Sequence, residues 1–200
     1  MSYQDRYVQH QDKKKRQLML SEGTKATKPP KDLEAILSFR RSQRVFNSEP
    51  ITDKDFNKIL QSATFAPNSC NRHGIKLKVV EDRREKELLS GVLVGGIGWI
   101  HRAQKIVLFW ADPVAYASPN EKEFMHYCDV GFTAMSMWLM ADSMGIGGSY
   151  INPNVLYTDI LKEHFNGKSY IFCGALVFGH YDSDKRALKA DPGDLNDMLV

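Results

Sequence analysis

Residues 121–149 read EKEFMHYCDVGFTAMSMWLMADSMGIGGS, and this stretch decides how the rest of the chain is arranged. From Glu121 to Met144 no proline interrupts, and apolar side chains fall on nearly every face of a helical projection. A surface helix carries one apolar stripe, so this one is expected to be central and covered on several sides. Gly145 is a natural C-cap. Gly145, Gly147 and Gly148 then fall within four residues. Such a run permits close approach of backbone to a flat ligand, and equally serves a plain cap and turn. It is no dinucleotide fingerprint, which follows a strand and opens a helix.

Working outward, a short strand is expected at Ser149–Ile151, a helix at Val155–Phe165 and a strong strand at Tyr170–Phe178, YIFCGALVF. Upstream, Lys105–Ala111 reads KIVLFWA, a run suited to a strand buried on both faces. Glu85–Val94 predicts a helix with Leu88, Leu89 and Val92 inward, broken by Gly95, Gly96 and Gly98. Leu77–Val80 predicts another strand. Thr52 is a good N-cap for a helix lined by Phe56, Ile59, Leu60 and Ala63 and stopped by Pro67. Leu33, Ile36 and Leu37 predict one short amphipathic helix before it. Helices and strands mixed around one sheet make the class α+β. Residues 31–200 form the expected domain. Residues 1–30, with Lys13-Lys14-Lys15-Arg16 and Lys28-Pro29-Pro30, read as a polar arm.

Composition narrows the function. A net charge of +3, from 27 basic and 24 acidic residues, is too small to imply nucleic-acid binding. No apolar run reaches the ~18–20 residues that span a bilayer, so neither nucleic acid nor membrane is an expected partner. Cys70, Cys128 and Cys173 are odd in number and lack metal-ligand spacing, so no metal is expected. A reduced, cytoplasmic protein is the simplest reading.

Two further segments carry chemistry. Arg40-Arg41-Ser42-Gln43-Arg44-Val45-Phe46 puts three guanidinium groups within five residues. They repel one another unless an anion lies between them, and the guanidinium fork matches phosphate oxygens. A solvated charged turn is the plainer alternative. Ala66-Pro67-Asn68-Ser69-Cys70-Asn71-Arg72-His73 ends a helix and offers donors and acceptors for the polar edge of a heterocycle, or simply a capped turn.

In order and spacing these segments resemble the nitroreductase family. Arg40 to Phe46 fits its R-[RH]-S-x-R-x-F opening. Ala66, Pro67 and Asn71 fit A-P-S-x-x-N-x-Q-P. Asp129 and Gly131 fit D-x-G, Gly145 and Gly147 fit G-x-G, and Gly179-His180-Tyr181 precedes Lys185 and Arg186. The resemblance covers roughly Leu33 to Lys189. It implies a nitroreductase-like fold: a central, mostly antiparallel sheet flanked by helices, in an intertwined homodimer with FMN between the chains. It implies an NADH- or NADPH-dependent flavin oxidoreductase that reduces nitroaromatics, quinones or similar small acceptors by a ping-pong route. By position, Arg40, Arg41, Ser42 and Arg44 would meet the ribityl phosphate and pyrimidine side, and Lys185 and Arg186 the phosphate. Asn68, Ser69 and Asn71 would meet the ring edge, with Gly147 and Gly148 near the ring. No catalytic side chain is implied, because the cofactor carries the hydride chemistry.

The chain departs from the family pattern at Asn68, where Ser is usual, at His73-Gly74, where Gln-Pro is common, and at Ile75, where an aromatic is customary. The segment from Asp112 to Tyr127 is short, leaving an open acceptor pocket or one lined by the partner. Trp99, Trp110, Phe124, Tyr127 and Trp138 are candidates to line it, or core residues. Rival readings are another flavin chemistry (dehalogenation, flavin fragmentation, azoline dehydrogenation), a non-catalytic flavin scaffold, and a phosphate binder without flavin. The Lys-Tyr pair of the azoline dehydrogenases has no clear equivalent. Met135, Met137, Trp138, Leu139 and Met140 are expected to be largely buried, some of them across a two-fold axis.

Overall fold

The computed structural model describes residues 32–116, 119–153, 155–165 and 169–199. The expected arm at residues 1–30 lies outside the described residues.

The sheet has four strands: β1 (Ile75–Val80), β2 (Lys105–Ala111), β3 (Gly147–Ile151) and β4 (Ile171–Gly179). Their order is β1-β2-β4-β3, and every pairing is antiparallel. All seven residues of β2 are buried, as a continuous apolar run demands when both faces are covered. Alternation along the strand sends Val107, Phe109 and Ala111 to one core and Ile106, Leu108 and Trp110 to another. Ile106, Val107, Leu108 and Phe109 each contribute roughly 1.5–3 kcal/mol by leaving water.

The first core is closed by α2 (Asp53–Ser62), through Phe56 and Ile59, and by α4 (Pro119–Ser143), through Val130, Ala134 and Met137. The second is closed by α3 (Arg83–Val92), through Leu89 and Val92, and by α5 (Thr158–His164), through Leu161. The helix starts follow their caps. The Thr52 hydroxyl accepts from the Asp55 amide at 3.1 Å, and the Asp82 carboxylate accepts from the Arg84 and Glu85 amides. A bulge between Phe109 and Trp110 faces Gly174, whose φ of +123° only glycine adopts readily.

Three expectations shift. The helix expected at Val155–Phe165 is split into a 3₁₀ turn at Val155–Tyr157 and α5. Of the three residues expected to form the apolar stripe of α1 (Leu33–Phe39), Ile36 is buried while Leu33 and Leu37 are exposed. Along α4, Met137 and Trp138 are buried, but Phe124, Tyr127, Phe132 and Met135 stand in solvent. With Cys128 and Gly131, also exposed, they follow i, i+3, i+4, i+7 spacing, which is a single helical face. Nothing among the described residues covers it.

α4 ends in a Schellman turn. The Gly145 amide donates to the Asp142 carbonyl at 3.0 Å and Ile146 to Ala141 at 2.9 Å, with Gly145 at φ +78°. This turn delivers Gly147 and Gly148 directly into β3.

Candidate functional site

β3 is an edge strand, and the arginine segment lies along it. Arg40 caps α1, with its amide donating to the Ile36 carbonyl. The chain then runs beside β3: Ser42 bridges Gly148 in parallel, and the Gln43 amide donates to the Gly148 carbonyl at 2.8 Å. A Cβ on Gly147 would come within 2.7 Å of the Gln43 side chain and 2.9 Å of Tyr181. One on Gly148 would come within 2.9 Å of the Trp138 indole. The glycines thus admit the protein's own side chains, which seat the arginine segment against the sheet.

Gln43 fills the variable position of the R-[RH]-S-x-R-x-F pattern. It is 2% exposed. Its Nε2 donates to the carbonyls of Val45 at 2.7 Å and Lys185 at 3.0 Å, and its Oε1 accepts from the Ala187 amide at 2.7 Å. One amide therefore ties the Arg40–Arg44 segment to the C-terminal Lys185–Ala187 segment, 142 residues away. The only signal in the sequence was a neutral amide among cations.

Arg40, Arg41 and Arg186 converge here. The Arg40 guanidinium stacks on Trp138, 4.4 Å from the ring centre. Arg41 donates to the carbonyls of Ser38, Phe39 and Arg40 at 2.7–2.9 Å. Arg186 donates to the Phe39 carbonyl and lies 3.5 Å over the Phe39 ring. Arg44 donates to the Ser42 carbonyl at 3.3 Å and lies 5.9 Å from the Trp99 ring centre. Lys185 is exposed and reaches Asp182 at 3.3 Å.

Burial, then the positive charges of Arg186 and Arg40, pull the Arg41 guanidinium below its usual range. Burial does the same to Arg44. The buried countercharge is Asp142, in the last turn of α4. Its carboxyl is pushed up to about 7 by burial, against the opposing pull of Arg40, Arg186 and Arg41. Three arginines, Arg40, Arg41 and Arg186, facing one reluctant carboxylate leave a surplus of positive charge. A phosphate monoester, with several acceptor oxygens, fits that surplus and the guanidinium donors.

The second segment is built differently. The amide and hydroxyl of Ser69 donate to the buried Asp129 carboxylate at 3.0–3.2 Å, and the Tyr116 hydroxyl donates to Oδ2 of the same group at 3.0 Å. Burial and the Asp129 charge push the Tyr116 hydroxyl above its ordinary range. The Asn68 side chain accepts from the His73 amide at 2.9 Å, and Arg72 pairs with Glu121 at 3.0 Å. Cys70, Asn71 and His73 all hold positive φ, between 51° and 56°, a conformation kept only where surroundings enforce it. The polar groups of Ser69 thus point inward, while Asn71 is exposed. The Gly74 departure has a physical reason: a Cβ there would lie 2.9 Å from Ala115 and 3.0 Å from the Tyr116 hydroxyl.

The arginine segment, Gly147, Gly148, Lys185 and Arg186 are brought together. The Asn68–Asn71 turn is not with them. It is anchored at Asp129, nine residues and about 13 Å along α4 from Trp138. Of the aromatics considered for a pocket wall, Trp99, Trp110 and Trp138 are buried, and Phe124 and Tyr127 are exposed. Burial pushes the Cys173 thiol up to about 12, while Cys70 and Cys128 are exposed. Among the described residues, no helix is long and apolar enough to cross a membrane.

A model of the Nitroreductase family matches residues 37–180, and the chain belongs to that family. It is 26% identical over 168 residues to an FMN reductase (NAD(P)H) of Bacillus subtilis, covering 76% of this chain and 67% of the relative. It is 29% identical over 127 residues to an NADPH-flavin oxidoreductase of Vibrio harveyi, covering 60% of this chain and 52% of the relative. The chain therefore spans about two thirds and half of these relatives' lengths. Among solved structures, NfrA2 of B. megaterium superposes with a TM-score of 0.70 at 25% identity, over 78% of this chain and 68% of that one. A nitroreductase of Exiguobacterium sibiricum, solved in complex with FMN, gives a TM-score of 0.73 at 18% identity, over 88% and 99%. The latter likeness speaks for the fold.

Proposed function

We propose that this chain is an FMN-dependent oxidoreductase that uses NADH or NADPH to reduce nitroaromatic, quinone or similar electron-poor acceptors, and that it works as a cytoplasmic homodimer. The observation that carries the reading is the arginine cluster on the edge of β3, with its surplus of positive charge over the buried Asp142. The family and the names of the relatives support it.

Arg40, Arg41, Ser42, Arg44, Lys185 and Arg186 would hold the phosphate and the polar tail of FMN. Asn71, with Asn68 and Ser69 in the same turn, would face the ring edge, and Gly147 and Gly148 would seat the arginine segment beside it. FMN, when bound, supplies hydride acceptance and donation. The protein orients it and places donors where negative charge develops. Asp129 and Tyr116 fix the Asn68–Asn71 turn, so its donors need no reorganisation on binding.

The homodimer accounts for two features. The stripe Phe124, Tyr127, Phe132 and Met135 on α4 is an exposed apolar patch of the kind that marks an interface. The turn at Asn71, held about 13 Å along α4 from the arginine cluster, suits a site completed by both chains.

The test is steady-state kinetics on FMN-loaded protein with NADH or NADPH and a quinone or nitroaromatic acceptor. Parallel double-reciprocal lines are expected, as each substrate is used and released in turn. Converging lines would reject the ping-pong order, and no turnover with any donor and acceptor would reject the reductase reading in favour of a scaffold.

A further inference from the structure

Asp142 occupies an electrostatically unfavourable place. It lies in the last turn of α4, where the negative end of the helix dipole disfavours a carboxylate. It is 3% exposed, and its Oδ2 is buried with no hydrogen-bond partner among the described residues. None of the ion pairs among the described residues uses it. The charged groups that face it come from two segments: Arg40 and Arg41 after α1, and Arg186 near the C-terminus, with the Tyr181 hydroxyl beside them. β3, packed on the end of α4 through Gly148 and Trp138, adds only glycine backbone here. Nη1 of Arg41 and Nη2 of Arg186 donate to backbone carbonyls and Arg40 lies on the face of Trp138, and among the described residues no arginine hydrogen bond reaches Asp142. Asp142 therefore acts on them through space.

We propose that Asp142 sets the anion affinity of the arginine cluster: it is the cluster's countercharge in the free protein, and it takes up a proton from solvent when a phosphate monoester binds. The inference rests on the reading of the cluster as an FMN phosphate site. Two anions sharing one set of cations in a buried site repel each other, and the weaker acid of the two is the one that neutralises. Asp142 is poised for this, since burial already holds its carboxyl up at about 7. A phosphate monoester, with its second pKa near ~6, is already a dianion at pH 8, so its own titration does not mask the effect there. Binding then costs the protein its ionised Asp142, and affinity falls as pH rises above neutrality. A further rise of one unit in the Asp142 pKa on binding corresponds to about a tenfold difference in affinity.

The experiment titrates the wild-type protein and Asp142→Asn with FMN and with riboflavin, which lacks the phosphate. Titrations run between pH 5.5 and 8.5, with calorimetry at pH 8 in buffers of different ionisation enthalpy. Wild type is expected to take up part of a proton per FMN and none per riboflavin. Asp142→Asn is expected to take up none, and to bind FMN about tenfold more tightly than wild type at pH 8.5 but nearly equally at pH 5.5. Proton uptake is read on the wild type alone, so the test survives a variant that folds poorly. Equal pH dependence in the two proteins, or equal uptake with riboflavin, overturns the role of Asp142 while leaving the FMN site intact. Absence of FMN binding at every pH overturns both.

Discussion

Replacing Gln43 with Leu keeps most of the side-chain volume and removes every polar contact. Three hydrogen bonds go: to the carbonyls of Val45 and Lys185, and from the Ala187 amide. At ~1 kcal/mol net each, the loss is about 3 kcal/mol, and more if the stranded backbone groups stay dry. That is a large share of a typical domain stability of ~5–15 kcal/mol. With a urea slope of ~2–3 kcal/mol/M, the unfolding midpoint should fall by about 1–1.5 M. The same change frees the Lys185–Ala187 segment from the arginine segment, so FMN affinity should drop about tenfold, equivalent to ~1.4 kcal/mol. Urea unfolding followed by fluorescence, and FMN titration of the folded variant, read the two effects. Lys185→Ala, at an exposed position, is the control and should move stability by no more than ~0.5 kcal/mol. A Gln43→Leu midpoint within ~0.3 M of wild type would refute the view that this amide ties the two segments.

Four other outcomes are expected. Gly148→Ala drives a methyl into the Trp138 indole at 2.9 Å and should cost ~1–3 kcal/mol in unfolding free energy, with a changed tryptophan emission. Asp129→Ala strands the Ser69 amide and hydroxyl and the Tyr116 hydroxyl; it should destabilise by ~3 kcal/mol or more, whereas Tyr116→Phe, losing one bond, should cost about 1 kcal/mol. Asp142 has a folded pKa of about 7 against an ordinary 3.8, so its contribution to stability is complete below that ordinary value and lost as pH rises through the folded one. Wild type should therefore lose stability relative to Asp142→Asn between roughly pH 4 and 7 in urea unfolding, and level off above. Phe132→Glu places a charge in the exposed stripe of α4 and should give a monomer in sedimentation with weakened FMN binding; an unchanged dimer would place the interface elsewhere.

Much of the fold was legible because its strongest elements are locally determined. The strand Lys105–Ala111 was readable to the residue, since so short and apolar a run suits a doubly covered strand. The long helix was readable from its uninterrupted pattern, and its end from Gly145. Its exposed stripe was not, because a helix apolar all round gives no sign of which face the same chain covers. Gly147 and Gly148 read as a cap and turn or as backbone close to a flat ligand, but they enter β3 and make room for Gln43, Tyr181 and Trp138, long-range contacts that no local pattern encodes. Charge density at Arg40, Arg41 and Arg44 suits an anion or a solvated turn alike, and Arg186 stands out only through the family resemblance. Gln43 and Asp142, which organise those cations, were hidden for the same reason: each acts through partners far away in sequence. Ser69 was readable as a polar turn residue, but its inward orientation depends on Asp129, 60 residues on.

The most direct test of the flavin reading is the absorbance spectrum of the purified chain, before and after added FMN, with any released chromophore identified by chromatography. A yellow protein that releases FMN, or takes it up stoichiometrically, and whose colour bleaches on adding NADH or NADPH is the expected result. A colourless protein that does not take up FMN would contradict the assignment of Arg40–Arg44, Lys185 and Arg186 as its binding residues.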